Sequence, residues 1–246
     1  MALSNLTRAA AKALRKQRTP ATAILVAAGS ATRMGGIDKV MAALAGRPLL
    51  AYSMLAFQQC VQISGIIVVT RQELCSSVEE MARQYGASKL LAVVPGGATR
   101  TESVQAGLAQ VPADSRLVAV HDAARPLVSQ NVIYAALQAA AETGAAAPAL
   151  PVKDTIKVAS GGVVVATPER AKLFAVQTPQ CFDRDLLSAA LAQPDGVWTD
   201  DCAALEQLGV RVRLTPGEER NFKVTTPLDL QLARLLAAEE NEHNEE

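Results

Sequence analysis

Short, wholly apolar runs recur along the chain, separated by longer stretches in which apolar positions return every three or four residues. The runs AILVAA (residues 23–28), GIIVVT (65–70), LLAVV (90–94), LVAV (117–120) and AAAPAL (145–150) predict strands buried on both faces. Between them, PLLAYSMLAFQQC, QELCSSVEEMARQYG, RTESVQAGLAQ and QNVIYAALQAAAETG have helical spacing. Strands alternating with helices of this length predict βαβ units, and so an α/β fold with a mostly parallel sheet flanked by helices. Ligands of such sheets bind beyond the carboxyl ends of the strands. Three polar segments follow strands at that edge: AAGSATRMGG, PGGATR and HDAARP.

The alternation breaks at residue 151. Residues 151–180 read as extended segments without a helical period, hinged at Gly161-Gly162, which predicts a β-arm over residues 151–170 protruding from the sheet. One limb carries the apolar stretch VVVA, a bare edge that a second copy of the chain would naturally cover. Residues 183–208 return to helix, VRVRLTPG and NFKV read as strands, and TPLDLQLARLLAAEE predicts a closing helix begun by Thr226 and Pro227. Residues 21–238 are thus expected to form a single domain.

Composition narrows the function. The chain has 246 residues, half of them hydrophobic and few aromatic, which suits an α/β core of small aliphatic side chains. Lys and Arg balance Asp and Glu at 24 each, so net charge implies no nucleic-acid partner. The balance is uneven along the chain: residues 1–20 hold Arg8, Lys12, Arg15, Lys16 and Arg18 with no acid before Asp38, and residues 239–246 are acidic. The basic leader is either a solvated extension on a cytoplasmic protein or an organelle transit peptide. No run is long and apolar enough to span a membrane. Cys60, Cys75, Cys181 and Cys202 are scattered, and His121 and His243 are the only histidines. That pattern argues against a disulfide framework, a zinc cluster or a histidine dyad.

The three edge segments carry the candidate chemistry. In the first, Gly29 and the small neighbours Ala27, Ala28, Ser30 and Ala31 let backbone N–H groups approach phosphate oxygens, with Arg33 and Lys39 as cations beyond them. The segment fits neither the dinucleotide fingerprint nor the P-loop. It is either a phosphate cradle or a tight turn with two solvated cations. PGGATRTES repeats the chemistry with Gly96, Gly97 and Arg100 before a helix; Thr99 or Thr101 is its N-cap, and Ser103 falls in the first turn. In HDAARP, Asp122 stands at a strand tip. It is either an Mg²⁺ ligand among phosphates or the structural partner of Arg125. His121 reads as a packed residue and not a base. Lys223, in NFKVTTPLDL, stands beside turn-forming residues at a strand end, where a solvated lysine is the plain reading.

Taken together, AAGSATRMGGIDK, GRPLL, PGGATRTESVQAGL, HDAARP, PVKDTIK, QTPQCF, TDDCAALE and NFKVTTPLDL closely resemble, in order, the 2-C-methyl-D-erythritol 4-phosphate cytidylyltransferase family. The resemblance implies a Rossmann-like nucleotidyltransferase fold, a homodimer joined through the β-arm, and Mg²⁺. It implies reaction of CTP with methylerythritol phosphate to give the CDP-linked alcohol and pyrophosphate. On that resemblance, Arg33 and Lys39 stabilise the transition state. Asp122 associates with the metal, and Gly29 and Ser103 touch the nucleotide. Lys223, Arg170 and Thr199 meet the substrate phosphate, the last two in the neighbouring subunit's site, and Arg125 also contacts the substrate. This chain departs from the family pattern in a shortened loop before Lys39, in Asp38 and Thr32, and in Ala98, where an acid is common.

The implied chemistry is direct displacement: the acceptor phosphate is itself the nucleophile, so no general base is required. Few histidines and no activated Ser or Cys agree with that. A cytidylyltransferase for another polyol phosphate, such as ribitol 5-phosphate, is the nearest alternative. A dinucleotide oxidoreductase and a non-catalytic nucleotide sensor are more distant ones.

Overall fold

Four of the five apolar runs are covered on both faces, which is why they read as unbroken rather than alternating; the run at 90–94 forms an edge strand that is only partly covered. The computed structural model describes residues 20–29, 40–193 and 198–243. Strand β1 (Ala21–Val26) is followed by a small ribbon of β2 (Ala43–Leu44) and β3 (Arg47–Pro48), then helix α1 (Leu49–Gln59). Next come β4 (Ile63–Thr70), α2 (Cys75–Gln84), β5 (Leu90–Pro95), α3 (Arg100–Leu108), β6 (Leu117–Asp122), α4 (Gln130–Thr143) and β7 (Ala145–Pro151). The strand order is β10-β7-β11-β6-β1-β4-β5, where β10 is Phe174–Val176 and β11 is Gln180–Asp183. Strands β6, β1, β4 and β5 run parallel; β11 is inserted antiparallel between β6 and β7, so the sheet is mixed but mostly parallel.

Two apolar layers sandwich it. On one face Met54 and Phe57 of α1, Met81 of α2 and Ile133 of α4 pack on Leu25, Ile66 and Val68. On the other, Val104 of α3, Leu187 of α5 (Arg184–Leu191) and Leu205 of α6 (Asp201–Gln207) pack on Ile24, Ile67 and Val120. Alternate residues of each strand thus serve opposite layers, as the pleat dictates. A third cluster joins Leu44, Leu49 and Val224 to Leu230 and Ala233 of the terminal helix α7 (Pro227–His243).

The arm is a hairpin of β8 (Val158–Ser160) and β9 (Val163–Ala166), separate from the main sheet. Its turn needs two left-handed residues, supplied by Gly161 at φ 57° and Gly162 at φ 80°. Strand β12 (Arg213–Pro216) joins β7 in parallel, within the expected VRVRLTPG.

NFKV departs from expectation. Asn221 ends a 3-10 turn, Glu219–Asn221, and the following residues are not a strand. The Asn221 side chain is committed to hydrogen bonds with Gln177 and Thr178, so the segment is fixed by side-chain contacts rather than a ladder.

Candidate active site

A cleft of about 380 Å³ opens at the carboxyl edge of the sheet, between the ends of β1 and β6 and the start of α3. Ala27, Ala28 and Gly29, directly after the end of β1, form one wall. Ser30, Arg33 and Lys39 lie outside the described residues. Gly29 and Val40, which bracket residues 30–39, both line the cleft.

The opposite wall is the loop before α3. A Cβ on Gly96 would lie 2.4 Å from the Ala28 Cβ and 2.8 Å from the Ser103 hydroxyl, so glycine is what lets the two walls approach. Gly96 therefore spaces the cleft, and Gly97 lines it. Thr99, rather than Thr101, is the N-cap: its side chain accepts from the Glu102 N–H, and Glu102 reaches back to close a capping box. Ser103, almost fully buried, donates to the Thr99 carbonyl (2.9 Å) and accepts from the Gly97 N–H (3.2 Å). The helix thereby stiffens the loop it follows.

At the floor stands Asp122, the last residue of β6. Lys223 Nζ lies 2.8 Å from its Oδ2, Arg125 Nε 3.8 Å from the same oxygen, and Arg100 Nη2 3.6 Å from Oδ1. Burial alone would raise the carboxyl pKa, but Lys223, then Arg100 and Arg125, hold it at about 2. Asp122 thus meets Arg125 as one of three cations, and Lys223 is the nearest of them. His121 is fully buried, its ring 5.0 Å from that of Phe57, with Nε2 at the Arg125 carbonyl and Nδ1 at the Thr178 hydroxyl. Burial pushes it down to about 4, so it is a neutral packed residue, as its position in the sequence suggests.

Sequence reading missed two groups here. Asp201, 2% exposed, holds Arg100 Nη1 at 2.7 Å, and Asn221 accepts on its carbonyl from Arg125 Nη1 at 2.7 Å. The only prior signals were the acidic pair in TDDCAALE and the asparagine of NFKV. Arg170 and Thr199 do not line the cleft: both are exposed, and Arg170 donates to the Lys153 carbonyl at the base of the arm.

Mg²⁺ was expected on Asp122. Among the described residues no three His, Cys, Asp or Glu side chains gather as a cage. A single carboxylate among the described residues lining a cation-rich cleft suits an ion that arrives with a triphosphate and keeps its phosphate and water ligands. Asp122 fits that role.

A cleft that surrounds one carboxylate with three cations, at the carboxyl edge of a Rossmann-like sheet, is equipped to bring phosphate groups together, and this is the architecture of a nucleotidyltransferase. The chain belongs to the 2-C-methyl-D-erythritol 4-phosphate cytidylyltransferase (IspD) family, whose model matches residues 21–239. Proteins of that name from Symbiobacterium thermophilum and Desulforamulus reducens are 44% and 42% identical to it. The first alignment covers 91% of this chain and 95% of the relative, the second 89% and 96%. Among solved structures, that of 4-diphosphocytidyl-2C-methyl-D-erythritol synthase from Anaerococcus prevotii superposes with a TM-score of 0.79 at 28% identity, covering 89% of this chain and 96% of that one. The Thermus thermophilus cytidylyltransferase gives 0.70 at 33% identity, covering 87% and 98%.

Proposed function

We infer that this protein transfers the cytidylyl group of CTP to 2-C-methyl-D-erythritol 4-phosphate, releasing pyrophosphate and the CDP-linked alcohol for non-mevalonate isoprenoid synthesis. The observation that carries the reading is the Asp122–Lys223–Arg100 cluster at the cleft floor of a chain matched by that family over residues 21–239. The family match and the relatives favour methylerythritol phosphate over ribitol phosphate as acceptor.

In this mechanism the acceptor phosphate attacks the α-phosphorus in line with departing pyrophosphate. The backbone of Ala27 to Ser30 and of Gly97, with Ser103, holds the nucleotide. Arg33 and Lys39 stabilise charge growing on the non-bridging oxygens. Lys223 exchanges its Asp122 partner for the acceptor phosphate, and Arg125 stays beside Asp122. Asp122 would hold Mg²⁺, which would supply further neutralisation of the triphosphate. Arg170 and Thr199 act in the site of a second subunit; neither lines the cleft of its own chain. We place the protein in the cytoplasm, in keeping with the absence of a membrane-crossing helix among the described residues.

The test is pyrophosphate release from CTP and Mg²⁺ over a panel of polyol phosphates. Methylerythritol phosphate should give the highest kcat/KM. Arg33→Ala and Lys39→Ala should each lower kcat about a hundredfold with little change in folding. A better ribitol phosphate rate would reassign the acceptor, and near-parental turnover in both variants would remove this loop from the chemistry.

A further inference from the structure

Lys223 lies in a stretch outside any sheet ladder, yet its ammonium is held 2.8 Å from Asp122. Flexible lysine side chains lose much rotamer freedom when ordered, so a fixed backbone beneath the side chain matters. That backbone is pinned on both sides. Downstream, the Val224 N–H donates to the Ala124 carbonyl at 2.8 Å. Upstream, Asn221 is wholly buried and makes three attachments. Its Nδ2 donates to the Gln177 Oε1 (3.2 Å) and to the Thr178 carbonyl (2.9 Å), and its own carbonyl accepts from Arg125. Gln177 completes the junction: its Nε2 donates to the Glu218 carbonyl and its Oε1 accepts from the Glu218 N–H. The Thr178 hydroxyl in turn accepts from the Asp122 N–H at 3.0 Å.

The buried side-chain amide of Asn221 therefore ties the loop of Lys223 to the loop after β10, while its main-chain carbonyl and the Thr178 hydroxyl tie these two to the loop of Asp122 and Arg125. We propose that Asn221 is a positioning residue for the reaction: through Gln177 and Thr178 it sets where Lys223 stands relative to Asp122, and hence where the acceptor phosphate is received. The proposal rests on the reading of Lys223 as a phosphate contact. Among the described residues the Asn221 Oδ1 has no hydrogen-bond partner, so its two Nδ2 bonds alone orient the side chain, and small misplacements near reacting groups are costly.

A double-mutant cycle with Asn221→Ala and Lys223→Ala tests it. Asn221→Ala should raise KM for methylerythritol phosphate and lower kcat, about ten- to a hundredfold in kcat/KM. Equilibrium CTP binding should stay within about twofold, because Asn221 acts on the acceptor side. In the Lys223→Ala background the same change should cost about twofold or less. An equal loss in both backgrounds, or a lowered melting temperature with parental kinetic constants, overturns the proposal. Gln177→Leu removes the other half of the junction and should give the same non-additivity, which keeps the test open should Asn221→Ala not fold. Parental activity in Lys223→Ala alone would instead remove Lys223 from the mechanism, and this inference with it. A crippled Lys223→Ala with additive losses would overturn only the role of Asn221.

Discussion

His121 shows how a single burial sets both a structural and a titration property. Its ring is enclosed by Phe57 and bonded to Thr178 and the Arg125 carbonyl, and it stays neutral down to about pH 4. In the unfolded chain it takes a proton near pH 6.5. The unfolded state thus binds more protons between those values, so stability is complete above about 6.5 and falls as the pH drops toward 4. The gap corresponds to about 3 kcal/mol. Asp122, held at about 2, adds a second loss below the ordinary carboxylate range, because its favourable ion pairs vanish once it is protonated. Urea unfolding with chelator and no nucleotide should show declining midpoints from pH 6.5 to 4.5, and His121→Gln should flatten that limb. Equal slopes in parent and variant would show that some other group drives the acid sensitivity.

Elements lock to one another by shape, and α3 is the clearest case. A Cβ on Gly107 would stand 2.6 Å from Ile24 Cγ2 and 2.9 Å from Val69 Cγ2. Alanine there improves helix propensity by about 1 kcal/mol, but overpacking a close helix–sheet contact costs about 1–3 kcal/mol. Both neighbours are buried β-branched side chains with little freedom to withdraw. Gly107→Ala should therefore lower stability by about 1 kcal/mol in chemical denaturation, and a more stable variant would mean that α3 can lift off the sheet. Because α3 carries Ser103 and Arg100, nucleotide binding should weaken with it. The five apolar strands and the helices between them were legible in the sequence, since burial writes continuous apolar runs and one-sided burial writes a helical period. Strands β10 and β11 of the main sheet were not, because they lie in or beside a stretch read as the protruding arm. NFKV was misread because its apolar and polar alternation mimics a strand, while the cause of its shape lies in Gln177 and Thr178, over forty positions away. The site was half legible for the same reason. Asp122 and Lys223 stand in compact motifs, but the Arg100–Asp201 pair joins residues 101 positions apart, and no local pattern announces such a contact.

Within a single chain the arm leaves apolar surface uncovered. Val163, Val164 and Val165 are 67%, 54% and 62% exposed, and a two-stranded ribbon with so little cover is marginal in water. An isologous pair in which the arms embrace would bury these valines twice over by one symmetric contact. It would also bring Arg170, four residues past the end of β9 and tethered to the Lys153 carbonyl, toward the cleft of the other subunit. This arrangement makes a prediction that a monomer cannot imitate. Arg170→Ala and Lys39→Ala homodimers should each be nearly inactive. When the two are mixed and allowed to exchange, one site of each heterodimer lacks both residues, while the other has its own Lys39 and the partner's Arg170. Activity should recover to about a quarter of the parental level at equal mixing, since half the dimers are mixed and each of those keeps one intact site. Replacing Val164 with Glu should block both dimer formation and the recovery, because the charge would have to be buried in the apolar contact. Subunit exchange confirmed by mass spectrometry without any recovery would place Arg170 in its own chain's chemistry or outside the reaction altogether.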